Sequence, residues 1–469
     1  MNQDATRHRA HRLTRDERRA LGTLAGALAL DVGGLNVINP ALPEIGAHFG
    51  MGSSALQWTM TAYSVTFAGF LLLSGRLADL LGRRRMFALG VAVFSGSGLV
   101  AALAPMAWLL IAARAAQGLG AAMSGPAALA LLTEVFAPGR ARDRALGVYG
   151  AVGAASASLG LVLGGVMTEW PGWRAVFTTP AVLGALLLVL TRRALPEGGG
   201  ARRGSVDVPG AAQVTLGLLL AVFGVSRAGE AGWDDPVAAI ALVLAVLALA
   251  AFIVRQRRAA DPLLPPAFFR LASVRAASLT AFLQYAAAVG LLFLAPLYLQ
   301  QLRGYSPTAS ALALLPMSCV VFTTSNFLTR HLLARFGQKP VLVAGLLLIA
   351  VGMARWAWLS PAGGYWSQML PGVAVTGLGI GLVFPSMTAA ALTGVPADQH
   401  GVAGALNVVA QQVGCSVGVV LLVSVSVAAT PSSGPAGQLA GYHAAYLTAG
   451  LSCVAGALLV GFSRAWSER

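Results

Sequence analysis

Fourteen apolar stretches follow one another along the chain, and they constrain its fold more than any single motif. They cover 21–43, 55–75, 86–105, 107–133, 145–168, 173–191, 209–227, 236–254, 276–299, 308–329, 340–359, 368–392, 401–428 and 441–462. Each comes near the roughly 20 apolar residues that cross a bilayer as one helix. A helix satisfies its own backbone in lipid, so the expected fold is an all-α membrane protein with fourteen transmembrane helices. Composition agrees: only 10% of the 469 residues are charged, against about 25% in a soluble domain.

The net charge of +15 could suggest nucleic acid, but the placement of the cations excludes it. The basic residues are 31 arginines and Lys339, and most fall in bursts between apolar stretches. With the N-terminus inside, 27 of the 32 fall in inside segments. Such alternation is what the positive-inside rule produces. It fixes both termini on the cytoplasmic side of a cell membrane. Arg114, Arg174, Arg227, Arg303 and Arg355 are the five exceptions.

The stretches divide the chain. A basic tail, 1–20, precedes an N-terminal six-helix bundle, 21–191, and a Gly-rich cytoplasmic linker, 192–208. Two inserted helices, 209–256, are followed by a basic loop, 257–275, and a C-terminal six-helix bundle, 276–463. No short apolar leader with a cleavage site precedes the first stretch, which reads as an uncleaved helix. The halves echo each other: Gly82 matches Gly337 and Gly90 matches Gly345, both offset by 255 residues. Two related halves are a common transporter plan, with the site between them.

One dense patch of charge interrupts the apolar pattern, G-R-L-A-D-L-L-G-R-R-R at 75–85. It resembles the loop between helices 2 and 3 of the major facilitator superfamily. The segments A-L-Q-W-T-M-T-A-Y-S-V-T-F-A-G-F, I-A-A-R-A-A-Q-G-L-G-A-A, G-W-R-A-V-F, D-P-L-L-P-P-A-F-F-R and L-Y-L-Q-Q-L-R-G-Y-S-P follow the family in order. With fourteen spans, the chain resembles the fourteen-helix drug:proton antiporter branch over nearly its whole length. The resemblance implies a cytoplasmic latch between the halves, made by Gly75, Asp79, Gly82, Arg83 and Arg84. Gly75 and Gly82 would let helices approach closely, Asp79 would meet an arginine or a helix N-terminus, and Arg83 to Arg85 would lie at the anionic leaflet. An anchor that only sets topology would need the arginines alone.

Asp31 is the one carboxylate deep inside a stretch. An ionised carboxylate in lipid is costly, so such a group can trade a proton as its surroundings change. The family's first helix carries an Asp before an Asn-containing stretch ending in proline, as in L-D-V-G-G-L-N-V-I-N-P-A-L-P. Asp31 is therefore the candidate for proton coupling, or else the buried partner of an arginine. Arg114, with Gln117 on the same helix face, is the expected partner. The family's arginine there is linked to proton relay; the alternative is snorkelling to the outer interface.

The fifth stretch reads S-A-S-L-G-L-V-L-G-G, with Gly160, Gly164 and Gly165 for helix packing. Leu161 stands where the family has proline. Candidate cavity residues are Asn36, Gln57, Trp58, Tyr63, Gln117, Gln284, Tyr285, Asn326 and Gln411; Phe293 offers a second aromatic face. Gln412 follows Gln411, so only one of the two is expected to face inward fully. With no second deep acid, the expected substrate is a hydrophobic monocation or a neutral amphiphile.

Enzyme motifs are missing. A phosphate-binding loop needs a lysine before Ser or Thr, and Lys339 precedes Pro340. Cys319, Cys415 and Cys453 have no metal spacing and are expected to pack. No cofactor or metal is implied. The function expected from the resemblance is proton-coupled export of small hydrophobic or amphiphilic compounds, such as drugs and antibiotics, by alternating access. Its partners are protons, substrate and bilayer, and the expected state is a monomer. Alternatives are a dedicated exporter of one metabolite or self-made antibiotic, and a non-transporting membrane sensor.

Overall fold

The computed structural model describes residues 14–136, 139–195, 207–259, 262–263, 271–360, 363–396, 400–430 and 434–463. Most of the basic tail and of the Gly-rich linker lies outside the described residues, as do 260–261 and 264–270 of the basic loop. Within them the chain is all helix. The long helices are α1 (Arg15–Asn36), α2 (Trp58–Leu81), α3 (Arg83–Ala102), α4 (Ala107–Val135), α5 (Arg140–Glu169), α6 (Ala175–Ala194) and α7 (Val208–Ala231). They continue with α8 (Pro236–Arg258), α9 (Ala272–Leu297), α10 (Pro307–Thr323), α11 (Gln338–Trp356), α12 (Leu370–Leu392), α13 (His400–Ala428) and α14 (Pro435–Phe462). Thirteen helical stretches of the described residues are long and apolar enough to cross a membrane; α2 is a further helix of 24 residues. The protein is a multi-pass membrane protein.

Local chemistry sets the helix ends. The first helix starts six residues before the expected 21, because Thr14 and Glu17 form a reciprocal capping box. It also stops earlier, at Asn36. The prolines of N-P-A-L-P remove amide donors, and the chain turns through Asn39–Ala41 into a short helix, Leu42–Phe49. Beyond α10 the chain runs through a π-helical turn, Thr324–Leu328, into Thr329–Phe336. Gly82 and Gly337 begin the next helices with φ of +96° and +78°, a region that L side chains rarely adopt.

Helix pairing repeats between the halves. In the first half α3 packs on α4 and α6, α2 on α4, and α1 on α5; in the second, α11 packs on α12 and α14, α10 on α12, and α9 on α13. The matched glycines occupy matched contacts. A Cβ at Gly120 would lie 2.7 Å from the Gly90 carbonyl, and one at Gly379 would lie 2.6 Å from the Gly345 carbonyl. Lipid tails are as apolar as leucine, so helix association in a membrane rests on such close packing. The sequence echo is therefore a repeated backbone contact.

Between the halves α5 meets α10 and α2 meets α13. The α7–α8 hairpin lies over the second seam: Val65 of α2, Val222 of α7 and Val420 of α13 share one apolar cluster. Ion pairs close the hairpin at each end. Arg227 binds Asp235 at 3.0 Å, and Arg255 binds Asp207, whose carboxylate also accepts from Gln256 and the Gly210 amide. Burial pushes the Asp207 carboxyl up, but these donors outweigh it and hold the group below its usual range.

Gly160, Gly164 and Gly165 of α5 lie at close helix contacts. A Cβ at Gly160 would sit 2.7 Å from the Gly33 carbonyl, and one at Gly164 would overlap the Val37 carbonyl. Leu161 is buried and α5 runs unbroken through it. Gly75 and Gly82 differ from expectation: a Cβ at either meets nothing within 4 Å, so neither provides a close helix approach in this conformation. Gly82 serves the turn instead.

Gly164→Val should keep α1 and α5 from seating, at a cost of about 1–3 kcal/mol. Gly96→Ala, which meets nothing within 4 Å, should leave stability unchanged or raise it. Thermal unfolding in detergent separates the two, and equal melting temperatures would contradict the packing role.

Candidate functional site

The central polar site is assembled on α1, α2 and α4. Gly118 lets α4 lie against α2, since a Cβ there would overlap the Tyr63 carbonyl. Thr66 fastens the same contact by donating to the Ala115 carbonyl at 2.8 Å. This approach puts the Tyr63 ring under the Arg114 guanidinium, 4.7 Å from its centroid. The Tyr63 hydroxyl donates to the Asp31 backbone carbonyl at 3.3 Å. One aromatic side chain thus spans the gap between the acid and the base.

Arg114 is 1% exposed, so it does not snorkel. Its Nε donates to the Thr59 carbonyl at 2.8 Å and its Nη1 to Gln117 at 2.9 Å. Nη2 meets no hydrogen-bond partner among the described residues. Asp31 accepts from Ser124 at 3.0 Å instead of from an arginine. The expected direct Asp31–Arg114 ion pair does not form, because Tyr63 stands between them. A guanidinium with neutral partners only is an incompletely compensated buried charge, which is costly. Ring stacking recovers part of that cost.

The cavity candidates separate into groups. Gln117 belongs to the arginine. Gln284 is 3% exposed, and its Oε1 lacks a partner among the described residues. Tyr285 is partly buried beside the core, and Phe293 is part of that core. Gln411 and Gln412 are both buried. Gln57 points away, donating to Ser226 of α7 at 2.8 Å. Trp58 follows it, 6.5 Å from the Phe223 ring. These two therefore anchor the inserted hairpin. Asn36 and Asn326 donate to carbonyls of their own helices, at Val32 and Phe322.

Sequence gave no signal for several partners. Ser124 lies 93 residues from Asp31. Cys415 does more than pack: its Sγ lies 3.1 Å from the Ser64 Oγ, joining the halves along the α2–α13 seam. Cys319 is exposed, which overturns its expected packing role, whereas Cys453 is buried as expected.

At the charged patch, Arg83 pairs with Glu134 at 3.5 Å, and Arg84 donates to the Arg192 carbonyl at 2.9 Å. Both contacts hold helix ends within the first half. The Asp79 side chain lies outside the described residues.

The sequence profile of the Major Facilitator Superfamily matches residues 24–419. The chain is 37% identical over 440 residues to the puromycin resistance protein pur8 of Streptomyces alboniger, covering 92% of this chain and 87% of that protein. It is 36% identical over 412 residues to the cephamycin export protein CmcT of Amycolatopsis lactamdurans, covering 87% and 84%. Its fold matches the crystal structure of a peptide transporter, POT, in complex with sulfate: the TM-score is 0.69 at 15% identity, over 94% and 93% of the two chains. The chain belongs to the major facilitator superfamily, and it is a membrane transporter rather than an enzyme.

Tyr63→Phe keeps the ring under Arg114 and removes only the bond to Asp31. Tyr63→Leu removes both. Transport should fall several-fold more in Tyr63→Leu, since buried cation–π contacts are worth about 2 kcal/mol. Equal rates for the two variants, from initial transport rates in vesicles, would show that stacking is not used.

Proposed function

We propose that the protein is a proton-coupled exporter of small hydrophobic or amphiphilic compounds, antibiotics among them, working by alternating access. Fourteen membrane helices form two six-helix bundles, 21–191 and 276–463, with 209–256 inserted between them. Both termini are cytoplasmic and the unit is a monomer. The arginine bursts and the repeated helix pairing support this arrangement.

The observation that carries the reading is the separation of Asp31 from Arg114 by Tyr63. Asp31 binds the proton, and Ser124 holds its carboxylate when the proton leaves. A carboxylate in lipid is stabilised by a nearby cation. Movement of α4 against α1 changes the distance between Arg114 and Asp31, and with it the ease of proton release. Gln117 and Thr59 orient the guanidinium throughout. Substrate meets the seam between the halves, where Gln284, Tyr285 and Gln411 supply polar groups among apolar walls. The Asp79 patch acts as the cytoplasmic latch when that end closes.

Two relatives carry the name of a single antibiotic each. That favours, as a second reading, a dedicated exporter of one compound.

Asp31→Asn should abolish proton-driven transport while leaving the protein inserted. The check is internal pH in inside-out vesicles challenged with lipophilic cations, dyes and neutral antibiotics. Several compounds should discharge the gradient in the unsubstituted protein and none in the variant. Discharge by one compound alone selects the dedicated exporter, and normal flux in Asp31→Asn removes that residue from the coupling.

A further inference from the structure

The two halves touch at the end of the molecule remote from the start of α1 and the end of α14. Glu169 is the last residue of α5, and its Oε2 accepts the amide of Thr308 at 3.2 Å. Thr308 lies in the first turn of α10, in the other half. A helix leaves its first amides without intrahelical partners. Ser306 takes one of them, the amide of Ala309, at 3.2 Å. Glu169 takes another from across the seam. Its negative charge also faces the positive end of the α10 dipole.

Two independent contacts show how tightly this end is drawn together. One turn before Glu169, a Cβ at Gly165 would lie 2.8 Å from the Pro307 carbonyl and 2.9 Å from the Ala311 side chain. Gln300, just beyond α9, donates to the Pro40 carbonyl at 2.9 Å. At the other end of α5, a Cβ at Gly147 or Gly150 would meet nothing within 4 Å.

We infer that Glu169 is the gating residue of the remote end, a carboxylate in one half that holds that end shut by capping α10 in the other. This rests on the alternating-access reading. Opening the remote end pulls the α10 N-terminus away from Glu169 and strips the carboxylate of its amide and dipole. Glu169 touches neither Asp31 nor Arg114, so it sets the balance between conformations rather than proton binding at the centre.

The test uses the full chain in lipid nanodiscs, with Cys319→Ser and spin labels replacing Trp108 and Trp366. These residues are exposed at the remote end, one in each half, and Cys415 and Cys453 are buried. Distances are read by electron resonance without substrate or proton gradient, so the result does not depend on coupling through Asp31. Glu169→Gln keeps the shape and an acceptor but loses the charge. It should raise the fraction open at the remote end about two- to thirtyfold, the range expected for a carboxylate at a helix N-terminus. Glu169→Asp should restore part of the closed population, and Gln300→Ala should shift it in the same direction as Glu169→Gln. Distance distributions unchanged in Glu169→Gln, at unchanged melting temperature, would overturn the inference. So would a shift in Gln300→Ala without one in Glu169→Gln.

Discussion

A buried arginine that no carboxylate of the described residues touches is the constraint on which the centre of this transporter depends. Arg114 is held by a backbone carbonyl, an amide oxygen and the face of Tyr63. Each of these partners is neutral. In lipid such a cation is stable only while its surroundings stay fixed around it. The close approach of α2 and α4 at Gly118 supplies that fixity. Asp31 lies on the far side of the same tyrosine, so the acid and the base share a scaffold without neutralising each other. A pair already locked into a salt bridge would have little reason to exchange a proton.

The surrounding architecture follows from the second constraint, that helices in a membrane gain nothing from hiding apolar surface. Glycines permit backbone contact instead. They hold α3 to α4 in one half and α11 to α12 in the other, at positions 90 and 120 and at positions 345 and 379. On α5 they face two ways. Gly160 and Gly164 seat α1, which carries Asp31, while Gly165 meets α10 of the other half. One helix therefore touches both the proposed proton site and the seam that must open and close. Leu161 in place of the family's proline leaves that helix continuous between the two contacts.

Much of this was legible in the sequence because the bilayer writes a strong signal. Twenty-residue apolar stretches revealed the membrane helices. The matched glycines revealed the repeat, and Arg114 with Gln117 was readable from helical spacing alone. What stayed hidden depends on contacts between distant segments. Ser124 is one serine among many until α4 is laid against α1. Gln57 and Trp58 look like cavity residues until the inserted hairpin arrives to cover them. The first helix ran from an earlier start because a capping box outweighed the polar character of its first turn. Gly75 and Gly82 read as packing glycines, whereas the backbone uses Gly82 for its positive φ.

In the proposed cycle Asp31 takes up and releases a proton as substrate comes and goes, with Arg114 kept apart from it by Tyr63. Infrared difference spectroscopy on the reconstituted protein reads this directly, through the carbonyl stretch of a protonated carboxyl group. Addition of a transported compound should bleach one such band, and the band should be missing from Asp31→Asn. A band that bleaches equally in Asp31→Asn, or a protein that transports without any carboxyl change, would contradict the account.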